Sequence, residues 1–165
     1  MLKLTKKADY GLIALKHLAM IPEGRSASAK EIAERYRIPL PLLSKVLQKL
    51  GRLGFLQSEH GTNGGYKLAR HAGKISTLEV VRAIDGPIIL TACFTGHGEP
   101  CDQSECCSVR EPLRKVHEGI LRLLGSISIA DLSQDEMQDI AVESFAQPSS
   151  KVVELSRPLP VLPNL

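Results

Sequence analysis

The sequence lacks any long run of apolar residues. No stretch of its 165 residues approaches the roughly 20 apolar residues that a membrane-spanning helix needs, so we expect no membrane partner. The N-terminal segment is amphipathic from its first turn and has no signal-peptide core. Together these absences predict a cytoplasmic protein, in which reducing conditions disfavour structural disulfides.

Catalytic signatures are missing as well. The chain shows no Ser/His/Asp arrangement for nucleophilic catalysis and no paired carboxylates for acid–base work. The Cys-x2-Cys motif and the strand pattern of a thioredoxin-like protein are also absent. The sequence therefore argues against an enzyme, including a thiol redox enzyme.

Positive charge, in contrast, is concentrated in the first half of the chain. Residues 1–75 carry 14 Lys and Arg against 5 Asp and Glu, whereas residues 76–165 carry 7 against 13. A basic region indicates a polyanionic partner, although any single Lys is more commonly just solvated. Charge and pattern together favour a nucleic acid as that partner.

The basic half is patterned as three helices followed by a hairpin. Apolar residues at helical spacing predict a first helix from about Thr5 to Ile21, and a capping box at residues 28–31 opens a second helix. Pro41 stands in the first turn of a third helix. The inward face of that helix is predicted to hold Leu42, Leu43, Val46, Leu47 and Leu50. Two short runs with alternating apolar residues, on either side of a Gly/Asn turn, then predict a β-hairpin.

This order of elements predicts a mainly α fold with a small β-hairpin wing, a winged helix-turn-helix over residues 1–75. In such a fold the third helix enters the major groove and the hairpin lies along the adjacent backbone or minor groove. Candidate base or near-base contacts on the third helix are Ser44, Lys45 and Gln48. Candidate phosphate contacts are Thr5, Lys6, Lys49 and Arg52. At the hairpin tip, Thr62 and Asn63 are small enough for a close approach to the DNA backbone.

Residues 76–107 are predicted to hold a fourth helix and a cysteine-rich loop. A capping box at Ser76–Glu79 opens the helix, which ends at Gly86-Pro87. All four cysteines of the chain follow within 15 residues, at positions 93, 101, 106 and 107. Soft thiolates gathered in this way bind iron–sulfur clusters, zinc or Cu(I), or they oxidise.

The cysteine spacing favours a cluster among these alternatives. Zinc knuckles use Cys-x2-Cys or Cys-x4-Cys pairs, and only Cys101 and Cys106 have such a spacing. Wider spacing on a Gly/Pro loop suits an iron–sulfur cluster, whose separated irons need ligands on several sides. Zinc binding, thiol oxidation without metal and an inert loop remain as alternatives.

Residues 108–145 are predicted to hold a long dimerisation helix and a short C-terminal helix. From about Ser108 to about Ile129 the long helix carries an apolar seam at steps of three and four, formed by Val109, Leu113, Val116, Ile120, Leu124 and Ile127. We interpret the seam as a homodimer interface, with burial against the helix's own domain as the alternative. Ser133–Glu136 opens the last helix, which runs to about Phe145. Residues 146–165 are rich in Pro and are predicted to form a flexible tail.

Four stretches of this chain resemble the IscR/NsrR-type winged-helix regulators. They are residues 4–10, the segment from Ile32 to Leu47, residues 61–68 of the hairpin, and the cysteine loop with the long helix. The resemblance implies a dimeric bacterial transcription factor with an iron–sulfur cluster as its sensor, the [2Fe–2S] type being favoured over [4Fe–4S]. The opening and the hairpin are most similar to the branch that regulates the SUF operon, which implies control of cluster assembly genes.

The family's three-cysteine ligand pattern falls on Cys93, Cys101 and Cys107. This chain departs from the pattern in having the extra Cys106 and seven residues between Cys93 and Cys101. Some members of the family use a His three residues after the third Cys as the fourth ligand. Arg110 occupies that position here and cannot bind iron.

Other members of the family take an Asp from the first helix of the partner subunit, and Asp9 stands at the matching place. The resemblance therefore implies Asp9 as the fourth ligand. The alternatives are Cys106, His97 and Glu105, and a favourable interaction with the helix macrodipole would by itself explain an acid at position 9.

Two hypotheses about function remain. The first is a homodimeric regulator that binds double-stranded operator DNA and senses cluster status, redox state or nitric oxide. The alternative is a metal or iron–sulfur carrier without specific DNA binding, which leaves the basic half of the chain unexplained. Salt-dependent binding to promoter DNA separates the two hypotheses.

Overall fold

The computed structural model describes residues 3–22, 24–59, 61, 64–94, 101, 103 and 106–134. Within these ranges the helices are α1 (Lys6–Met20), α2 (Ala29–Tyr36), α3 (Leu40–Arg52), α4 (Thr77–Asp85), α5 (Arg110–Ser126) and α6 (Ile129–Ser133). The strands are β1 (Leu56–Glu59) and β2 (Gly65–Leu68). The predicted hairpin-tip contacts Thr62 and Asn63, the alternative ligands His97 and Glu105, most of the predicted last helix and the predicted tail lie outside the described residues.

The predicted mainly α fold with a hairpin wing is confirmed. Local capping explains where the helices begin: the Thr5 hydroxyl accepts the Ala8 N–H at the start of α1, and the Ser28 hydroxyl accepts the Glu31 N–H at the start of α2. A complete capping box between Ser76 and Glu79 opens α4, as predicted.

Helix α1 lies at the centre of the core. It packs against α3, α4, α6 and β2, and the largest fully buried side chains of the core include Leu15 of α1 itself and Ile32, Leu43, Leu47 and Leu50. Four of the five residues predicted to face inward from α3 are buried, and Leu42 is half-buried. Gly11 permits the close approach of α4, because a Cβ at that position would lie 2.3 Å from Cδ1 of Ile84.

The hairpin is attached to the helical core through the segment that precedes α2. Strands β1 and β2 pair antiparallel in the register Leu56 to Leu68, and Ala27 forms a further bridge with Tyr66 through two backbone hydrogen bonds of 3.1 and 2.9 Å. Gly65 makes this approach possible, because a Cβ there would lie 2.5 Å from the Ala27 carbonyl oxygen. The hairpin is therefore held in a fixed position relative to α2 and α3.

The long helix is shorter than predicted, and a further helix follows it. Helix α5 begins at Arg110 and ends at Ser126, so Ile127, predicted as part of the seam, lies beyond it in extended backbone. The Ile127 carbonyl accepts both the N–H and the hydroxyl of Thr77, which draws the chain away from the helical path. Ser128 and Asp131 then form a capping box that opens α6.

Helix α6 returns to the core around α1. Ile129 is fully buried, and its N–H donates to the Ile75 carbonyl at 2.9 Å. Ser133, predicted to open the last helix, instead lies at the C-terminal end of α6. None of the helices within the described ranges is long and apolar enough to cross a membrane.

We expect Gly65→Ala to loosen the hairpin. The added methyl group would overlap backbone atoms of Ala27, which lack the freedom of a side-chain end to move aside. Overpacking of this kind lowers the free energy of unfolding by about 1–3 kcal/mol, which urea denaturation measures.

Gly51→Ala is the matched control for this substitution. The nearest atom to a Cβ at position 51 is the Leu56 carbonyl oxygen at 3.9 Å, an ordinary contact. Because Ala is the better helix former, this variant should be unchanged or more stable by about 0.5–1 kcal/mol. A Gly65→Ala protein as stable as the wild type would show that the bridge to Ala27 is misplaced.

Candidate nucleic-acid interface and cysteine loop

The outer face of α3 presents the polar side chains predicted to meet DNA. Lys45, Gln48 and Arg52 are exposed, and Ser44 is half-buried. An open groove of about 430 Å³ separates this face from the hairpin, and its lining includes Gln48, Arg52, Ser58 and Tyr66. The exposed face and the groove together form a surface suited to a polar, extended ligand such as a nucleic-acid backbone.

Two of the predicted phosphate contacts make hydrogen bonds within the protein. The backbone N–H of Thr5 donates to Oδ2 of Asp85 at 3.1 Å, and the Thr5 hydroxyl donates to Oδ1 at 2.5 Å. Lys49 Nζ donates to the Ile84 carbonyl at 2.8 Å. The structure thus places Thr5 and Lys49 against the end of α4. Lys6, the remaining predicted contact on α1, is exposed.

Charge pairing distinguishes the basic residues of the hairpin from those of α3. In the hairpin, Lys67 Nζ lies 2.6 Å from a carboxylate oxygen of Glu59. Hydrogen bonds from Lys67 and then Ser26 hold the pKa of Glu59 below its usual range. Lys45 and Arg52 make no ion pair within the described residues, so their positive charge is available to an outside anion.

The cysteine loop begins in a short 3-10 turn formed by residues 92–94. Cys93 is exposed there, with its Sγ 3.1 Å from the Thr91 hydroxyl. Cys101 and Cys106 are also exposed, Cys107 is half-buried, and none of the four forms a disulfide. Four free thiols, three of them exposed, are chemically able to bind a metal or a cluster.

The turn that carries Cys93 packs against α5. The rings of Phe94 and His117 have centroids 5.3 Å apart at an interplanar angle of 35°. The Nδ1 atom of His117 is buried and has no hydrogen-bond partner among the residues that the structure describes. No sequence pattern predicts this contact, because His117 stands at no ligand spacing relative to the cysteines.

Asp9 lies exposed in the first turn of α1. Its carboxylate makes no hydrogen bond or ion pair with any other described residue, so it is free to act as a ligand. Within the described part of a single chain, however, no three His, Cys, Asp or Glu side chains are gathered as a metal site. Thiolates and a carboxylate are donors that suit an iron–sulfur cluster. The described residues of one chain, however, do not bring these donors together.

An apolar surface runs along α5. None of its 17 residues is fully buried, and Val116 and Leu123 are 51% and 38% exposed. Beside it lies a groove of about 500 Å³ between α4, α5 and the segment before α1, lined by Leu4, Val81, Ile88, Ile89, Ile120 and Leu124 among others. Monomeric proteins rarely leave such a contiguous apolar surface uncovered.

The helices, the hairpin and the polar face of α3 define a winged helix-turn-helix DNA-binding regulator. Residues 4–135 match the model of the Rrf2 family, described as iron-dependent transcriptional regulators. The chain belongs to this family, which confirms the resemblance found in the sequence. It is a transcriptional regulator and not an enzyme.

Three relatives illustrate the match. The HTH-type transcriptional regulator NsrR of Geobacillus kaustophilus is 34% identical over 134 residues, which cover 81% of this chain and 91% of that protein. The structure of CymR, the global cysteine regulator of B. subtilis, superposes with a TM-score of 0.68 at 26% identity, over 81% of this chain and 97% of CymR. The structure of T. potens IscR superposes with a TM-score of 0.62 at 28% identity, over 81% of this chain and 88% of IscR.

Proposed function

We propose that this protein is a homodimeric transcription regulator whose affinity for operator DNA depends on an iron–sulfur cluster in the loop of residues 93–107. The observation that carries the proposal is the confinement of all four cysteines, each of them free, to one loop of a winged-helix chain. Similarity to NsrR and IscR supports it. The target genes that we propose are those for iron–sulfur cluster assembly.

The ligands in this proposal are Cys93, Cys101 and Cys107, with Asp9 supplied by the second subunit. A [2Fe–2S] cluster is our first choice. When bound, it supplies a centre that responds to iron supply, redox state or nitric oxide. The thiolates hold the irons, and the free carboxylate of Asp9 adds an oxygen donor from a different helix. The position of α1 then depends on whether the site is filled.

In the proposed complex, α3 enters the major groove. Ser44, Lys45 and Gln48 read or approach base edges there, and Arg52 and Lys6 contact phosphates. Thr62 and Asn63 keep their predicted role at the hairpin tip. The unpaired charge of Lys45 and Arg52 supports this orientation, because a phosphate or a base can replace water around these side chains without breaking an ion pair.

A second copy of the chain is the proposed occupant of the apolar surface on α5. Along this helix Val116 and Leu123 are exposed, and Ile120 and Leu124 line the adjacent groove. A stripe on one helix can pair with the same stripe in a copy related by a two-fold axis, so both copies bury it at once. The resulting dimer presents two α3 helices to a near-palindromic operator.

A regulator that uses its thiols without iron is the second candidate. Similarity to CymR, described as a cysteine regulator, favours this alternative. The two candidates differ in composition, since only the first contains iron and sulfide.

We expect protein purified without air to be brown, with iron and acid-labile sulfide in similar amounts. Cys93→Ala, Cys101→Ala or Cys107→Ala should remove the colour, because each takes away a thiolate ligand. Cys106→Ala is the matched control and should keep most of the visible absorption. Stoichiometric zinc without sulfide would contradict the cluster, and protein without any metal would favour the thiol regulator.

We expect Val116→Asp and Ile120→Asp to give monomers in light scattering, because each places an unpaired charge in the dimer seam. Arg122→Asp is the control, since helical periodicity puts Arg122 on the opposite, exposed side of α5. The seam is wrongly assigned if both seam variants remain dimeric at low concentration.

We expect Arg52→Ala to weaken binding to operator and unrelated DNA alike. It should also reduce the slope of log K against log[salt] by about one, as the loss of one phosphate contact does. Gln48→Ala should weaken operator binding selectively and leave that slope unchanged. Fluorescence anisotropy at several salt concentrations measures both effects, with Arg122→Ala as the control. An unchanged slope in Arg52→Ala would remove Arg52 from the interface.

A further inference from the structure

The C-terminal end of α4 is joined to two other helices by side-chain hydrogen bonds. The Asp85 carboxylate accepts two hydrogen bonds from Thr5, one from its N–H at 3.1 Å and one from its hydroxyl at 2.5 Å. The neighbouring Ile84 carbonyl accepts a hydrogen bond from Lys49 of α3 at 2.8 Å. Helices α1, α3 and α4 are thus joined at two consecutive residues, Ile84 and Asp85, and we call this place the α4 junction.

Helix electrostatics favour both contacts of the α4 junction. The last carbonyls of a helix lack partners within it, and a cation such as the Lys49 ammonium stabilises that end. Conversely, the first turn of α1 carries unpaired N–H groups and favours an anion, which the Asp85 carboxylate supplies. Lys49 and Asp85 therefore hold α3 and α1 to the same end of α4 with opposite charges.

The α4 junction is close in sequence to both parts of the proposed cluster site. Gly86, with φ of 88°, ends α4, and Cys93 follows Asp85 by eight positions. On the other side, Asp9 lies four positions after Thr5, one turn further along α1. The Thr5–Asp85 contact therefore joins α4, which leads into the cysteine loop, to the helix that carries Asp9. Lys49 joins α3, the proposed recognition helix, to the same end of α4.

We propose that Asp85 and Lys49 are positioning residues that transmit the state of the cysteine loop to the recognition helix. This inference rests on the proposed cluster-dependent function. Because hydrogen bonds across the junction resist separate movement of the three helices, a displacement at the loop end of α4 is passed to α1 and α3. Neither residue needs to touch DNA or the cluster for this role.

The same contacts separate this role from a direct one at the DNA. The Asp85 carboxylate lies against Thr5 and would repel a phosphate there. The Lys49 ammonium already has a carbonyl partner. A phosphate contact and a positioning contact predict different salt dependences, because only the first changes the number of released counterions.

The test compares Asp85→Ala, Thr5→Val and Lys49→Met with the wild type, all as full-length protein purified without air. Arg52→Ala, which removes a proposed phosphate contact, is the control on α3. For each protein we would measure the visible spectrum and the operator affinity with and without the cluster. The same binding experiments at several salt concentrations give the salt slope. Hydrogen exchange of the first-turn amides of α1 is measured on cluster-free protein.

We expect the three junction variants to keep the cluster spectrum. The ratio of operator affinities with and without the cluster should fall about two- to tenfold in Thr5→Val and Lys49→Met, in line with the loss of one hydrogen bond. It should fall at least as far in Asp85→Ala, which loses two. The salt slope of Lys49→Met should match the wild type, whereas Arg52→Ala should lower it by about one and leave the affinity ratio unchanged. In cluster-free Asp85→Ala, which keeps the Thr5 hydroxyl as the cap of α1, exchange at the start of α1 should be faster.

Several results would overturn the proposal. A wild-type affinity ratio in the junction variants shows that the contacts are only structural, and a salt slope reduced by about one in Lys49→Met makes Lys49 a phosphate contact. Thr5→Val keeps the Asp85 charge and decides the matter if Asp85→Ala does not fold. Wild-type protein without iron and sulfide, or without an affinity difference, overturns the proposed function and this inference with it. If wild-type protein shows an affinity difference between its two forms and the junction variants show the same difference, this inference alone is overturned.

Discussion

The close packing of α1 against α4 is the constraint on which the rest of the structure depends. Gly11 leaves room for the Ile84 side chain, and Thr5 at the start of α1 is held by Asp85 at the end of α4. Helix α1 also contacts α3, α6 and β2. The positions of the recognition helix, the hairpin and the start of the cysteine loop therefore all depend on one central helix that itself carries Asp9.

Features of the fold that depend on local sequence were predicted well. Helical spacing, the capping box before α4 and Pro41 at the start of α3 act over a few residues, and the observed helices follow them. Alternation around a Gly-rich turn predicts the hairpin, and strands β1 and β2 pair antiparallel on either side of that turn. The cysteine ligands and Asp9 stay predictions, because they depend on a bound group and on a second subunit.

Features that depend on contacts distant in sequence were missed. The Thr5–Asp85 contact joins residues 80 positions apart, which no local pattern reveals. Helix α6 is only five residues long, and its capping box uses Asp131 where the common pattern has Glu or Gln. Burial of Ile129 and its hydrogen bond to Ile75 stabilise this helix in place of an amphipathic repeat.

One titration tests the central claim most directly, namely that the cluster controls DNA binding. Wild-type protein purified without air is divided in two, the cluster is removed from one half with a chelator, and both halves are titrated into the same operator DNA at one salt concentration. A coupling of about 1–3 kcal/mol, usual for two linked sites, predicts affinities that differ by about 5- to 150-fold. Equal affinities for the two forms would contradict the account.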